Sequence, residues 1–553
     1  MFPQNLRYLQ LSGNSLLTFS LDSNNHSTLP DLYLLDLSSC NVGHIFPKFL
    51  KHFHNLKYLN LSNNSIQGKV PKWLGVVDSL CYLDLSHNSL TGIDHQIPWG
   101  NLTNLDLSSN LLQGELPLPP NTIIFFSVSN NLLTGNVSPS ICNSSSLQVL
   151  SLAHNNFSGQ IPQCFGNSNQ YLEVLDLQNN SFYGTIPSKI CRTQNSLVTL
   201  NLNGNQLEGT LPRSLAKCTQ LVVVDVGNNR IKDTFPFWLG TLQELQVLVL
   251  QANKFHGDFG NSKANSSFPE LTIFDISNNN FTGILHATFF KYLKGMMHVD
   301  EGETAPQYIE YGLFVNRGFF SLNRDSVSVY QDSVSVTIKG NIFELPKILT
   351  TFTTIDLSNN KFEGKIPKVI GELHALKGLN LSHNGFTGPL PKSMGSLSNL
   401  EWLDLSSNKL TGKIPVEFIN LNYLQVLNLS GNQLVGCIPR ARHFDTFSND
   451  SYEGNPGLKA CNLDHEKRLP PPSTVLLQHE QDDDDESGFG WKAVAIGYGC
   501  GALFGMAMGY CVFSTGKPQW LVRMIEGDQN HNKRVKRPRS NARGGRRTQG
   551  TVN

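Results

Sequence analysis

A sixteen-fold repeat with a period near 24 residues is the feature that most constrains the fold of this chain. Representative units read LKYLNLSNNSIQGKVP from Leu56, LEVLDLQNNSFYGTIP from Leu172 and LEWLDLSSNKLTGKIP from Leu400. In the shared template, LxxLxLxxNxLxGxIP, the leucines at the first, fourth and sixth positions point into a coil. The asparagine at the ninth position can hydrogen-bond backbone groups at the turn. Such coils are predicted to stack into one continuous core and one parallel sheet.

The repeats fall into two blocks, about twelve units over residues 1–285 and four over residues 352–436. They begin at Leu6, Leu32, Leu56, Leu80, Leu102, Ile123, Leu147, Leu172, Leu197, Leu221, Leu245, Leu271, Phe352, Leu376, Leu400 and Leu424. Cys40 replaces the usual asparagine of the second repeat, and Asp233 replaces the usual glycine of the tenth. We therefore expect these two coils to be locally irregular.

The period disappears between the two blocks, over residues 286–351. A structureless loop of this length is improbable inside a compact array. Within it, Ser326 to Ile338 alternates apolar and polar residues as a strand does. We interpret the segment as an island domain that projects from the repeats, and the alternative is a decayed repeat that bridges its neighbours. Four well-formed repeats resume in register afterwards, which favours the island.

One apolar run near the C-terminus predicts a single membrane-spanning helix, because about 20 apolar residues suffice to cross a bilayer core. We assign residues 437–480 to a C-terminal cap and linker, 481–490 to an acidic extracellular stretch, 491–514 to the helix and 515–553 to a short basic tail. Lysine and arginine dominate the tail, which places the C-terminus in the cytoplasm and the repeats outside. We expect the tail to contact anionic lipid of the plasma membrane. Lys plus Arg and Asp plus Glu number 43 each, so net charge gives no indication of nucleic-acid binding.

Glycine recurs at every fourth position of the predicted helix. Glycines so spaced lie along one side of a helix and leave a groove into which a second helix can pack. The glycines are Gly497, Gly501, Gly505 and Gly509, and the acidic residues before the helix are Asp482, Asp483, Asp484, Asp485 and Glu486. The sequence after the helix lacks the glycine-rich loop, HRD and DFG signatures of a protein kinase. The chain is therefore expected not to be an enzyme and to signal through a partner.

Taken together, these features resemble the plant leucine-rich-repeat receptor-like proteins, the kinase-less cell-surface receptors of pathogen recognition and development. The resemblance rests on the LxGxIP repeats, the motif YQDSVSVTIKG from Tyr330 to Gly340, the four terminal repeats, the acidic stretch, the glycine-rich helix and the basic tail. It implies an α/β-type leucine-rich-repeat solenoid, a horseshoe with a curved parallel β-sheet, plus one transmembrane α-helix. No signal peptide or paired-cysteine cap precedes Leu6, so we expect an N-terminally truncated product.

The resemblance also implies partners. These are an extracellular ligand (a peptide, protein or glycan), an adaptor receptor kinase that pairs through the transmembrane helix, and a co-receptor kinase. No cofactor and no metal is implied. The island motif supplies the candidate residues Tyr330, Ser333, Val334, Lys339 and Gly340.

Apolar residues that break the repeat consensus on the predicted concave face are further candidates for ligand binding. Exposed apolar and aromatic side chains anchor ligands, and the alternative is that each packs against its neighbour. These candidates are Phe125, Val222, Val223, Val249 and Trp402. The recurrent acidic residues at the fifth template position could attract a basic ligand, but their recurrence favours a structural role. They are Asp36, Asp84, Asp106, Asp176, Asp225, Asp275, Asp356 and Asp404, with asparagine at 60, 201, 380 and 428.

Sequons and cysteines fit an extracellular location. We expect glycans at many of the sequon asparagines, which are Asn25, Asn60, Asn63, Asn101, Asn136, Asn143, Asn156, Asn179, Asn265, Asn280, Asn380, Asn428 and Asn449. Cys142, Cys164, Cys191 and Cys218 fall on the returning parts of neighbouring coils, where disulfides or buried free thiols are equal alternatives. Cys437 and Cys461 are candidates for a disulfide of the C-terminal cap.

The resulting hypothesis is a single-pass type I receptor subunit of the plasma membrane. It senses a ligand, most plausibly pathogen-derived, through its repeats and island, and it signals through an adaptor kinase in innate immunity. A developmental peptide-signalling receptor subunit is the main alternative. A soluble repeat-type inhibitor of cell-wall-degrading enzymes is disfavoured by the predicted membrane helix.

Overall fold

The computed structural model describes one compact unit that lies within residues 1–463. The described residues are 5–16, 31–93, 99–166, 171–191, 196–259, 267–298, 306–312, 329–338, 341–440 and 444–460. The predicted acidic stretch, membrane helix with its four glycines, and basic tail lie outside them. Within the described residues, no helix combines the length and the apolar character needed to cross a bilayer.

Each of the sixteen repeats contributes one three-residue strand to a single sixteen-stranded parallel sheet, as the sequence predicts. The strands are Tyr8–Gln10, Leu34–Asp36, Tyr58–Asn60, Tyr82–Asp84, Asn104–Asp106, Phe125–Ser127, Val149–Ser151, Val174–Asp176, Thr199–Asn201, Val223–Asp225, Val247–Val249, Ile273–Asp275, Thr354–Asp356, Gly378–Asn380, Trp402–Asp404 and Val426–Asn428. Equivalent template positions pair throughout, so Val149 lies beside Val174 and Ile273 lies beside Thr354. The insertion after the twelfth repeat therefore leaves the sheet unbroken.

Leucines on one side of this sheet form the continuous core that the repeat predicts. In the eighth repeat, Leu172, Leu175 and Leu177 are all buried, and burial of each such side chain stabilises the fold by about 1.5–3 kcal/mol. The ninth-position asparagines connect neighbouring coils through hydrogen bonds. Asn155 Nδ2 donates hydrogen bonds to the backbone oxygens of Val128, Leu152 and Ala153, and equivalent bonds are made by Asn64, Asn229, Asn360 and Asn408.

The LxGxIP part of each coil forms a second, interrupted layer of parallel strands. These strands are Gln67–Val70, Ser89–Ile93, Gln113–Gly114, Leu132–Asn136, Asn156–Gln160, Ser181–Thr185, Gln206–Glu208, His256–Asp258, Asn280–Ile284, Lys361–Gly364, Gly385–Pro389, Lys409–Gly412, Gln433–Cys437 and Gly457–Lys459. They form sheets of two, five and seven strands.

The returning segments are short 3₁₀ helices rather than the α-helices that the term α/β suggests. They are Lys48–His52, Lys72–Val76, Pro139–Asn143, Gln163–Gly166, Arg213–Lys217, Phe237–Thr241, Lys294–Met296, Lys368–Glu372, Lys392–Ser396, Val416–Asn420, Phe444–Thr446 and Asn449–Ser451. The α-helix of the described residues is Ala287–Phe290. Eight residues lie between the proline and the next coil, as between Pro367 and Leu376, and this short connection suits the tighter 3₁₀ turn.

The two coils that depart from the template are irregular, as predicted. The second layer breaks at the tenth repeat, between Gln206–Glu208 and His256–Asp258. The glycine of this layer adopts positive φ, for example 82° at Gly209 and 94° at Gly257, a conformation that is costly for aspartate. Asp233 instead accepts a hydrogen bond from the Leu211 amide. In the second repeat, Cys40 Sγ donates to the Leu11 carbonyl where asparagine would.

The insertion is shorter than the 286–351 range that the sequence suggests. Phe289, Phe290 and Met296 are buried in the main core and complete the twelfth coil, so residues 286–298 belong to that repeat. Beyond them lie two antiparallel hairpins, which are not the geometry of a decayed repeat. Glu310–Gly312 pairs with Val329–Gln331, and Val334–Ile338 pairs with Asn341–Leu345. We call residues 299–351 the island.

Candidate ligand-binding face

The face of the main sheet that points away from the leucine core is the candidate binding surface, and we call it the outer face. The third and fifth template positions of every repeat lie on it, since successive side chains of a strand point to opposite faces. The described hairpins of the island lie across the outer face of repeats 6–12 and pack on the sheet, whereas the sequence predicted an island that projects from the array. We call this part the covered region and the outer face of repeats 13–16 the open region.

A cluster of aliphatic side chains joins the island to repeats 10–12. Val223, Val247, Val249 and Ile273 of the sheet pack with Val334, Val336, Ile309 and Ile348 of the island, and all eight are buried. Burial of this many aliphatic groups is enough to hold the hairpins on the sheet, at about 25 cal/mol for each Å² of apolar surface removed from water.

A second cluster joins the island to repeats 6–8. The Tyr330 ring packs with Phe125, Val149 and Val174, and half-buried Tyr311 lies against the same group. The Tyr330 hydroxyl donates a hydrogen bond to the Asp176 carboxylate, which also accepts from Ser151 Oγ at 2.9 Å. Tyr330 is thereby anchored through both its ring and its hydroxyl.

Polar side chains at the seventh template position reach up to the island. Gln178 Nε2 donates to Ser333 Oγ at 2.8 Å. Gln251 Nε2 donates to the Ser335 carbonyl at 3.5 Å. At the edge of the contact, His154 Nε2 lies 2.9 Å from Glu344 Oε1. These bonds fix the register of the hairpin on the sheet.

Three carboxyl groups are buried where the island meets the sheet. Asp176, Asp225 and Asp332 are 3%, 0% and 2% exposed. Burial raises the pKa of Asp225 to about 7, and burial raises the pKa of Asp332 to about 7 as well. Burial also raises the pKa of Asp176. Among the described residues, none of the three pairs with a lysine or arginine.

The prediction that apolar residues are exposed on this face is wrong for the covered region. Phe125, Val223 and Val249 are buried under the island, and Val222 is half-buried at the margin of the same cluster. Their role in this structure is to dock the island. Trp402 lies in the open region and is also buried, because its ring stacks on Phe352 and covers Gly378. The packing alternative therefore holds for these side chains.

The island motif takes part in this contact as far as the structure describes it. Tyr330 and Val334 face the sheet, and half-buried Ser333 accepts the bond from Gln178. Lys339 and Gly340 lie outside the described residues. Sequence reasoning missed Asp332, Gln178 and His154 as island contacts.

A signal for these contacts does exist in the sequence. The usual serine at the seventh template position is replaced in repeats 7–11, by Ala153, Gln178, Asn203, Gly227 and Gln251. This departure lies within the covered region, whereas the third position is apolar or β-branched in both regions, as at Val174 and Val426.

The open region keeps the consensus and carries a polar strip in which Asp356 and Asn380 are buried and Asp404 and Asn428 are half-buried. Asp356 Oδ2 accepts from Asn380 Nδ2 at 3.0 Å, and Asp404 Oδ2 accepts from Asn428 Nδ2 at 3.2 Å. The fifth-position residues also have the structural role that their recurrence favours, because each accepts a hydrogen bond from the backbone amide two residues later, as at Asp356 and Ser358. Desolvation raises the pKa of Asp356 to about 6.

Exposure divides the predicted glycosylation sites. Asn380 is buried, and Asn60, Asn179 and Asn428 are only partly exposed and hydrogen-bonded within the sheet and its turns. The exposed sequon asparagines are Asn63, Asn101, Asn136, Asn143, Asn156, Asn280 and Asn449. Asn25 and Asn265 lie outside the described residues. A glycan therefore fits at the second group and not at Asn380.

Disulfides join returning coils at the four cysteines that the sequence leaves open. Cys142 bonds Cys164 across repeats 6 and 7, and Cys191 bonds Cys218 across repeats 8 and 9. Cys437 is also disulfide-bonded, while Cys461 lies outside the described residues. Within the described residues, no group of three or more His, Cys, Asp and Glu side chains is placed to hold a metal ion.

Comparison with known proteins gives a consistent result. Leucine-rich-repeat family models match residues 30–90 and 390–434, and a second such model matches residues 146–168, 171–193, 196–218, 270–292, 351–373 and 375–397. Receptor like protein 22 of Arabidopsis thaliana is 44% identical over 542 residues, which cover 97% of this chain and 67% of that protein. Receptor like protein 24 of the same plant is 45% identical and covers 94% and 59%. The chain spans about half the length of several other relatives, between 45% and 52%.

Solved structures agree on the fold. The plant peptide hormone receptor RGFR1 in complex with RGF2 has a TM-score of 0.63 at 24% identity, covering 83% of this chain and 68% of that chain. The Arabidopsis receptor kinase HAESA, in complex with the peptide hormone IDA and the co-receptor SERK1, has a TM-score of 0.60 at 26% identity, covering 83% and 71%.

Proposed function

The chain belongs to the plant leucine-rich-repeat receptor-like proteins, and we propose that it is the ligand-sensing subunit of a plasma-membrane receptor complex. In this proposal the repeats and island lie outside the cell as the ectodomain of a single-pass type I protein. The subunit binds a pathogen-derived ligand in innate immunity, and it has no enzymatic activity of its own.

The observation that carries the proposal is the division of the outer face in a chain of this family. The described hairpins on repeats 6–12 create a boundary next to four repeats that contribute no buried residue to their two apolar clusters, where a ligand can touch both island and sheet. A ligand that contacts both parts can favour one receptor complex over another, and such differential affinity is what a receptor switch requires. A co-receptor kinase is then recruited to the complex.

A developmental peptide-signalling role is the second candidate. It is favoured by the similarity to HAESA, whose solved complex contains a peptide hormone and a co-receptor. The two candidates differ in the source of the ligand, which is a pathogen in the first and the plant itself in the second.

Signal output is proposed to pass through an adaptor receptor kinase that packs on Gly497, Gly501, Gly505 and Gly509. The test is co-purification of the full chain with candidate adaptor kinases from plant membranes. Replacing the four glycines with leucine is expected to abolish co-purification, because the groove is filled. The matched control, Met506→Leu with Met508→Leu, is expected to retain it. Unchanged co-purification of the glycine variant would remove the helix from the proposal.

Ligand sensing itself is tested by exposing plant cells that carry the full chain to pathogen extracts and, separately, to extracts of plant apoplast. Recruitment of a co-receptor kinase by pathogen extract alone supports the defence role. Recruitment by plant extract alone supports the developmental role, and recruitment by neither contradicts both.

A further inference from the structure

The contact between island and sheet contains acid groups that no cation neutralises. Asp332 of the island lies between its own hairpins and repeats 8 and 9, and Asp176 and Asp225 lie on the sheet beneath. Asp332 Oδ1 is buried with no hydrogen-bond partner among the described residues. The Thr199 hydroxyl acts on the same carboxyl and lowers its pKa, but the effect of burial is larger. A buried carboxylate without a cationic partner is costly, whereas the protonated acid costs much less.

We propose that the two described hairpins of the island form a proton-dependent cover, which stays on the outer face of repeats 6–12 in acid and leaves it when the buried carboxyls ionise. Release would uncover the aliphatic patch of Val223, Val247, Val249 and Ile273. The inference concerns the docking of the island alone and does not depend on the proposed receptor function.

The titratable groups that act on Asp332 make ionisation of its carboxyl less favourable. From the sheet, the titratable group that acts on Asp332 is Asp176, and from the island it is Tyr330. The negative charge of Asp176 repels a charge on Asp332. At the edge of the contact, His154 Nε2 lies 2.9 Å from Glu344 Oε1.

The direction of the pH effect follows from proton linkage. The pKa of Asp332 is about 7 in the docked island because of burial, whereas a solvated aspartate has a pKa of about 4. Docking therefore takes up a proton between these two values. The docking equilibrium constant falls about tenfold for each pH unit from about pH 4 to about pH 7, and it levels off above that.

The geometry of the hairpin makes Asp332 the decisive group. Asp332 lies between the strands Val329–Gln331 and Val334–Ile338, and it is close enough to repeats 8 and 9 for Asp176 and Thr199 to act on its carboxyl. Asp225 keeps its hydrogen bonds to the Gly227 amide and the Asn203 side chain whether or not the island is present, because those partners belong to the sheet. Protonation of Asp225 is therefore coupled less directly to release of the island from the sheet.

Amide hydrogen exchange of the full chain in detergent, without ligand, tests this proposal between pH 5 and pH 8. Exchange in the hairpin strand Val334–Ile338 is divided by exchange in the open-region strand Gly378–Asn380 of the same sample. The division cancels the intrinsic pH dependence of amide chemistry. We expect the ratio to rise at least tenfold from pH 5 to pH 7 and then to level off.

Two variants complete the experiment. Asp332→Asn has no titratable group and is expected to give a ratio that does not change with pH, while Asp404→Asn, the control in the open region, keeps the wild-type rise. If Asp332→Asn loses protection of Gly378–Asn380 and so fails to fold, Asp332→Ser replaces it. A wild-type ratio that stays constant from pH 5 to pH 8, or a rise that persists in the variant, would overturn the proposal.

Discussion

The covered and open regions of the outer face are built from the same coil and yet present different surfaces. Both have leucine-type cores, ninth-position asparagine ladders and strands in the same register. They differ at the seventh template position, which carries Gln178 in the eighth repeat but Ser358 in the thirteenth. Gln178 contacts the island through Ser333.

This difference shows that two sets of positions in one repeat have separate structural roles. Core positions specify stacking in every coil, because a coil cannot bury its leucines alone. Outer-face positions are free of that constraint, so they can be changed over seven repeats to receive an island without disturbing the solenoid.

The largest expected effect is a loss of folding stability on mutation of the core, and it should be equal in the covered and open regions. Phe274→Ala in repeat 12 and Phe386→Ala in repeat 14 each remove a fully buried ring. Each should lower the free energy of unfolding by about 3–5 kcal/mol, measured by urea unfolding. Phe343→Ala on the island is the control, since that ring is 46% exposed. A large loss in only one of the two core variants would show that the cores are not equivalent.

A charged residue introduced under the island should have an effect that the same change in the open region lacks. Val336→Asp buries a carboxylate in the aliphatic cluster and should weaken docking by about 3 kcal/mol. Proteolysis is expected to cut the island while the repeats remain intact. Val426→Asp, at the third position of repeat 16, is the matched control and should leave the digestion pattern unchanged. Equal sensitivity of both variants would contradict the distinction between regions.

The asparagine ladder should again be common to both regions, with a smaller effect. Asn279→Ala and Asn408→Ala each leave buried backbone carbonyls without a donor, such as those of Leu250 and Leu381. Each change should cost about 1–3 kcal/mol in urea unfolding. A neutral result at either site would mean that water replaces the side chain there.

Exchanging the seventh-position residues should sharpen the comparison further. Gln178→Ser removes the bond to Ser333 and should weaken island docking by about 1 kcal/mol, seen as faster amide exchange in Val334–Ile338. The reciprocal change, Ser406→Gln in the open region, should leave amide exchange in Val334–Ile338 unchanged, because Ser406 belongs to repeat 15 and the hairpin packs on repeats 10–12. An effect of the reciprocal change as large as that of Gln178→Ser would count against the assignment.

The smallest expected effect is a change in the mass of the protein through the loss of a glycan. Asn280→Gln should remove one glycan, because Asn280 is exposed at the start of a second-layer strand. Asn380→Gln should remove none, because Asn380 is buried and bonded to Asp356. Intact-protein mass spectrometry of material from plant cells distinguishes the two results.

Much of the fold was predictable, because the 24-residue period alone determines every main-sheet strand. The leucines from Leu6 to Leu424 placed all sixteen strands, and Asp233 correctly indicated where the second layer breaks. The island was harder to predict. Residues 286–298 lack the template yet complete the twelfth coil, since Phe289 and Met296 fill core sites that leucine fills elsewhere.

The candidate site could be predicted only in part. The sequence shows that Val249 and Phe125 are unusual for an outer face. It does not show whether such an apolar side chain contacts water, a ligand or an island. The difference depends on contacts between residues far apart in the chain, such as Gln178 with Ser333. No local pattern encodes that pairing.

The position of the island on repeats 6–12 is the central claim, and a photo-crosslink tests it most directly. A benzophenone side chain introduced at Val336 in the full chain is activated at pH 5, and the crosslinked peptides are identified by mass spectrometry. We predict crosslinks to peptides that contain Val223, Val249 or Ile273. Crosslinks confined to the island, or directed to the open region around Asn380 and Trp402, would contradict the account.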